Sequence, residues 1–478
     1  MLATLSLLED RMVKKKKIIV GITMILLLIG LNVFAQYVMP EENTEHEGTW
    51  LQWPHHFTYG IFYRNSIEST WIEMTESLIT SENVHIVAYN QTEKDRIIAL
   101  LNDEGISLTN IDFYVHPNDD VWVRDSGPIF VYDENDDLTI LDWGFNGWGN
   151  DAPFSNDDVI PSALSIELDI PAIDLSAVVL EGGAIEIDGN GTLMATRSSV
   201  THSSRNPNLT ETEIENYFTS YLGITNFIWL NGVYGLDITD MHIDGIMRFA
   251  GNNTIVTMNN ADLVYWELPQ SDIDILYGAS NVTGEAYNFE YLPLTQNDVT
   301  TAYGNPLYYK GSYCNYYIAN SVVLIPNYND PNDEVANAII QDIHPDKTAI
   351  GIDVRNLYEN GGMIHCVTQQ QPIDLNQSTV NNNSIEEVFN CKMFPNPFNP
   401  TTTISFSLTK DSKIELVIYN TKGQRIKTLA QNDFIKGSHS ITWNGVDEKG
   451  SSLSSGVYFY KLSVNNKTEV MKKMLLLK

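Results

Sequence analysis

The chain has 478 residues, 43% of them hydrophobic, which excludes disorder over most of its length. Its formal charge of -33 is concentrated in residues 36–390, where 53 acidic residues stand against 10 basic ones. Such a balance repels nucleic acid and attracts cations. Three cysteines, Cys314, Cys366 and Cys391, exclude a disulfide scaffold and leave at least one thiol unpaired or paired between chains.

Residues 1–35 read as a secretory signal. Lys14 to Lys17 form its positive region, Ile18 to Leu31 its apolar run, and Val33-Phe34-Ala35 a cleavage site before Gln36. A membrane anchor is the alternative, but the run is short for a span. Residues 36–370 read as one large α/β unit. Within it, Ser66–Thr80, Glu93–Asn102, Thr210–Leu222 and Asn332–Ile343 carry helical apolar spacing. Asn83–Tyr89, Leu138–Trp143, Ala177–Leu180, Gly191–Thr196, Phe227–Leu230, Asn253–Met258, Ser321–Pro326 and Thr348–Asp353 are β-rich. Residues 371–391 are polar, lack a core pattern and read as a linker. Residues 392–478 turn basic and predict a small all-β sandwich of about seven strands, punctuated by Gly423, Gly437, Gly445, Gly450 and Gly456.

Four short segments of the α/β unit put acid, His or Cys beside glycine or aromatic residues, and a fifth follows the last of them. They are Trp122-Val-Arg-Asp-Ser-Gly-Pro128, Leu180-Glu-Gly-Gly183, Asp237-Ile-Thr-Asp-Met-His-Ile-Asp-Gly245, Asn360-Gly-Gly-Met-Ile-His-Cys366 and Thr368-Gln-Gln370. Together they supply a thiol nucleophile, a proton-shuttling His and at least three carboxylates. That set suits attack on a cationic carbon such as the centre of a guanidinium. Cys366 needs a base or a lowered pKa to act. His365 is adjacent, but neighbours on an extended segment point to opposite faces, so His242 is the preferred partner. Strand alternation would put Asp240, His242 and Asp244 on one face, which is costly to bury without a cation. A metal is an alternative occupant, although no second His stands at a ligand spacing. Asp125 could equally pair with Arg124 or cap a turn, and Glu181 could be a solvated strand end.

These segments, with Met39-Pro-Glu41, Gly48-Thr-Trp-Leu-Gln-Trp-Pro54, Asp142-Trp-Gly-Phe-Asn-Gly-Trp-Gly149 and Arg205-Asn-Pro207, carry a resemblance. Over about residues 37–370 the chain resembles the agmatine deiminase and bacterial-type peptidylarginine deiminase family of the guanidine-modifying superfamily. The resemblance implies a five-bladed, pseudo-symmetric α/β propeller with its site in a central channel. It implies Cys366 as nucleophile, His242 as general acid and base, and Glu181 as a channel acid. It implies Asp125 and Asp244 as the pair gripping the guanidinium, with no metal or organic cofactor. The family usually has Asn where Ala184 stands, Gly at Met241, and a small or polar residue at Met363. These departures bear on the substrate, not on the catalytic groups.

The substrate expectation is a small cationic guanidino compound, agmatine-like, with free arginine and arginine in a peptide as the other candidates. Acid excess favours the amine; Arg197 and Arg205 are the candidate clamps for a peptide carboxylate. Amidino transfer and a non-catalytic surface binding protein are the competing readings. In the tail, Phe394-Pro-Asn-Pro-Phe-Asn-Pro-Thr-Thr-Thr403, Ile418-Tyr-Asn-Thr-Lys-Gly423 and Gly456-Val-Tyr-Phe-Tyr-Lys461 resemble the C-terminal sorting domain of type IX secretion cargo. That resemblance implies secretion machinery as a partner, a secreted or surface location, and no membrane span once the signal is removed.

Overall fold

A computed structural model of the chain describes residues 37–376 and 388–477, apart from 395–397, 409, 421, 423 and 465–466. The expected signal at 1–35 and much of the expected linker lie outside the described residues. The chain divides into two compact units, residues 1–377 and 378–478.

The first unit is built from five separate mixed sheets of three or four strands. Each contains the same trio, in which an edge strand runs antiparallel to a middle strand, and the middle strand runs parallel to a third. The trios are Ile129–Asp133, Leu138–Gly144 and Ala172–Val179; Ile185–Ile187, Thr192–Thr196 and Asn226–Leu230; Met247–Phe249, Thr254–Met258 and Asn288–Leu292. The fourth is Tyr317–Ile318, Val322–Asn327 and Thr348–Asp353. The fifth joins the two ends of the unit: Gln369–Pro372 pairs antiparallel with His46–Gln52, which pairs parallel with Asn83–Ala88. Two sheets gain a strand each, Tyr37–Val38 on the first and Ile111–Val115 on the fifth.

The trio explains where the helices fall. An antiparallel pair closes through a short turn, whereas a parallel pair needs a crossover. Accordingly Ile160–Leu168, Glu211–Leu222, Gln270–Tyr277, Asp333–Ile343 and His56–Leu78 each lie between a middle strand and its parallel neighbour. Glu211–Leu222 shows how local sequence sets such a crossover. Thr210 and Glu213 form a reciprocal capping box, which stabilises the start by about 1 kcal/mol. Ile214, Phe218 and Leu222 are its buried stripe, and Gly223 ends it in the left-handed conformation at φ 78°.

The four predicted helices are present, and the predicted strands fall on observed ones with ends moved by a few residues. One is longer: Ala177–Leu180 is the end of Ala172–Val179. The unit also runs past residue 370, because Gln371 and Pro372 remain in the sheet opposite Gly48 and His46. The linker therefore begins later than position 371.

The second unit has seven strands in two antiparallel sheets. Val388–Phe394, Thr402–Leu408 and Gly437–Trp443 form one; Arg425–Phe434, Ser412–Asn420, Gly456–Val464 and Lys467–Leu476 form the other. Ile404, Phe406 and Leu408 from the first sheet share one core with Ile414, Leu416 and Ile418 from the second. Period-2 burial on both sheets is the mark of a sandwich, as expected. Among the described residues no helix is long and apolar enough to cross a membrane.

Candidate active site

The chain enters the first strand of four of the trios through a tight turn, and these turns, with the segment leading into Tyr317–Ile318, carry the candidate residues. Val123–Ser126 forms a single helical turn holding Asp125. Glu181 precedes the 3-10 turn Gly182–Ala184, and His242 precedes the 3-10 turn Ile243–Gly245, which holds Asp244. Asn315 stands just before Tyr317–Ile318, and Cys366 sits in the 3-10 turn His365–Val367. The Asp125 turn packs against both the Gly182–Ala184 and the His365–Val367 turns. Residues spread over more than 240 positions thereby share one cavity of about 260 Å³, lined by Asp125, His242, Asp244, Asn315 and Cys366 among others.

The contacts are specific. His242 Nε2 lies 2.7 Å from Glu181 Oε2, and its Nδ1 lies 3.6 Å from Asp125 Oδ1. Asp125 also accepts from the Gly183 N–H at 3.0 Å and from the Trp148 indole N–H at 2.9 Å. Asp244 Oδ2 stands 3.7 Å from Cys366 Sγ, and Asn315 Nδ2 donates to the same sulfur at 3.3 Å. Glycine at 183 is required by this crowding. A Cβ there would fall 2.8 Å from both Asp125 Oδ1 and His242 Nδ1, and 3.1 Å from Asp244 Oδ2.

The buried charges set the protonation states. Burial alone would lower the His242 pKa, but Asp125, Glu181 and Asp244 outweigh it and raise it to about 9. Burial raises the Asp125 carboxyl to about 6; His242 opposes the rise while Glu181 and Asp244 add to it. Burial also works to raise Asp244, yet His365, His242 and Arg248 hold it below the usual carboxylate range. Burial pushes the Cys366 thiol well above its ordinary range, and Asp244 and Asp125 push further. These charges give the site a protonated His242, a Cys366 thiol and the carboxyls of Asp125 and Asp244.

Four sequence expectations are corrected. Asp240, His242 and Asp244 do not share a strand face. Asp240 and Met241 have φ of 59° and 72°, which no strand allows, and Asp240 turns away to Arg205 at 2.5 Å. Arg205 is 3% exposed and bound to Glu181 at 2.8 Å as well, so it is no clamp for a substrate carboxylate. Arg197 is taken by Glu211 at 2.6 Å and does not line the cavity. Arg124 does not pair with Asp125; it reaches Glu42 at 3.3 Å and Gln370 at 2.8 Å.

The expectation that His365 points away from the site holds only on extended backbone. On a 3-10 turn it stays near the site: Nδ1 lies 2.7 Å from Asp244 Oδ2 and Nε2 lies 2.8 Å from Glu42 Oε2. Glu42, Asn315 and Trp148 were missed as site residues. Glu42 follows Met39-Pro-Glu41 and Trp148 belongs to the Asp142–Gly149 segment, so position in a motif was the available signal. Asn315 had none. Among the described residues no cluster of His, Cys, Asp or Glu is arranged to hold a metal.

The Porphyromonas-type peptidyl-arginine deiminase family model matches residues 38–372. An agmatine deiminase of Pseudomonas aeruginosa is 31% identical over 358 residues, covering 70% of this chain and 95% of that protein. The solved agmatine deiminase of Enterococcus faecalis superposes with a TM-score of 0.62 at 25% identity, over 70% of this chain and 96% of that one. A substrate-bound agmatine deiminase of C. jejuni does so with a TM-score of 0.61 at 26% identity, over 71% and 97%. The chain belongs to the Porphyromonas-type peptidyl-arginine deiminase family. It is an enzyme of the deiminase type, a hydrolase of carbon–nitrogen bonds other than peptide bonds. Residues 396–468 match a FlgD Ig-like domain, consistent with the sandwich of the second unit.

Proposed function

We propose that this enzyme deiminates the guanidinium of an agmatine-like amine, releasing ammonia and a ureido product through a covalent intermediate on Cys366. One observation carries the substrate class: the cavity is lined by Asp120, Asp125, Asp237 and Asp244 and by no Lys or Arg. A dication finds carboxylates to pair with, whereas the α-carboxylate of free arginine finds no Lys or Arg among the lining residues.

The chemistry follows from the charge state. A guanidinium between Asp125 and Asp244 offers N–H forks to two carboxylates and holds its carbon beside Sγ. Its positive charge offsets the two acids that suppress thiol ionisation, so the substrate itself promotes the thiolate. The thiol gives its proton to solvent, sulfur bonds to carbon, His242 gives its proton to the departing nitrogen, and ammonia leaves a thiouronium. Water then attacks, neutral His242 takes one of its protons, the carbon–sulfur bond breaks, and the remaining hydroxyl proton passes to sulfur as the ureido product is released. Glu181, itself held by Arg205, orients His242 and stabilises its charge. Amine in place of water would make the reaction an amidino transfer.

Peptide-borne arginine is the second reading. It is supported by the name of the matching family. For the unit as a whole we read the five sheets as five blades around the cavity, on the strength of their common trio and the packing of their turns. We read residues 1–35 as an export signal and the sandwich as a type IX-like sorting module, giving a secreted or surface enzyme. The test is a panel of agmatine, free arginine and a peptide ending in arginine, assayed for ureido product at low salt without added amine. Agmatine should show the highest kcat/KM and Cys366→Ser should abolish it. A higher kcat/KM for the peptide would replace the first reading with the second.

A further inference from the structure

Both ring nitrogens of His365 face carboxylates, Asp244 at 2.7 Å and Glu42 at 2.8 Å, and the side chain is 2% exposed. An ionised carboxylate only accepts hydrogen bonds, so a ring between two of them donates from both nitrogens and carries a positive charge. The outer carboxylate is itself built in. Glu42 Oε1 accepts from the Ile318 N–H at 2.8 Å and faces Arg248 Nη2 at 2.9 Å, while Arg124 lies 3.3 Å from Oε2. Arg124 Nε also reaches the His365 carbonyl at 3.3 Å.

We infer that His365, clamped by Glu42, is a positioning residue whose positive charge keeps Asp244 ionised and aimed at the substrate beside Cys366. This rests on the reading of Asp244 as a guanidinium ligand. The charges facing Asp244 explain the need. Asp125, His242 and Asp244 converge around Gly183, Cys366 Sγ is 3.7 Å from Asp244, and Arg248, which also acts on Asp244, is paired with Glu186. Asp125, Asp244 and an ionising thiol share one buried site, and a fixed cation behind Asp244 offsets part of that repulsion without occupying the place of the substrate.

The test is His365→Asn, which keeps a donor near Asp244 but removes the charge, with Glu42→Gln as a second variant. Both are measured in the full chain on agmatine across pH 5 to 10. In His365→Asn the acid limb of kcat/KM, which Asp125 sets near pH 6 in the wild type, should move up and steepen, because Asp244 loses its adjacent cation and comes to titrate alongside Asp125. KM should rise about 10-fold or more with a smaller fall in kcat, since guanidinium binding is what Asp244 supplies. Glu42→Gln should move the limb the same way by less, and it decides the matter if His365→Asn does not fold. A limb that stays in place in the folded variants, whatever the overall loss, overturns the inference. Wild-type enzyme inactive on every guanidine would instead sink the reading of the site.

Discussion

At the scale of single residues, the site is organised by opposition between burial and charge. His242 gives up water but gains Asp125 and Glu181, and the acids win. Asp125 gains less than it loses and sits at about 6. On the proposed mechanism the productive form of the free enzyme has Asp125 ionised and His242 protonated. The pH dependence of kcat/KM should therefore be a bell rising near pH 6 and falling near pH 9, because that parameter reports the free enzyme. The sign for stability is separate. His242 binds its proton more tightly in the folded chain than at its ordinary 6.5, so its contribution is full below that pH and lost through about 9. A kcat/KM still rising above pH 9 would mean that thiol ionisation, not His242, limits the alkaline side.

At the scale of elements, function lies in the turns between sheets. Backbone at these turns is pressed to contact: a Cβ on Gly182 would fall 2.1 Å from the Arg124 carbonyl oxygen, and one on Gly362 would fall 2.1 Å from the Trp122 ring. Gly183→Ala tests this closeness where it matters most. Displacing Asp125 or His242 to admit the methyl should lower kcat/KM by about 100-fold, the cost of roughly 1 Å of misplacement. Its circular dichroism should remain that of the wild type, since Gly183 has no positive φ to defend. Unchanged activity would show that the three groups can part without loss.

At the scale of the whole molecule, the family match ends at residue 372 and the sandwich core is made only of residues from the second unit. Each unit has its own core, so each should fold alone. A chain cut after residue 377 should keep kcat/KM within about 2-fold of the full protein, and differential scanning of the full protein should show two separable transitions. Loss of activity on removing 378–478 would give the sandwich a part in catalysis that its separate core does not suggest.

Much of this was legible in the residues. The amphipathic stripe of Glu211–Leu222, the β-branched run Thr348–Asp353 and the alternation in the tail report their own structure, because helix and strand periods are local. The four acid, His and Cys segments could likewise be picked out, since glycine beside a reactive group is visible in one dimension. Strands buried on both faces were harder. His46–Gln52 mixes His, Glu, Thr and Gln with Trp and Leu and shows no alternation, because its polar groups find buried partners such as Glu82 for Thr49 and Gln371 for Trp50. The roles of Arg205, Arg124 and His365 were beyond reach of the sequence. Each depends on which carboxylate the fold brings within about 3 Å from a segment tens to hundreds of positions away. By itself the amino-acid order marked the strongly periodic elements, the change of composition ahead of the second unit and the candidate reactive groups. Only the tertiary structure decided which cation neutralises which acid, because Coulomb energy depends on distance and burial, and neither is written along the chain.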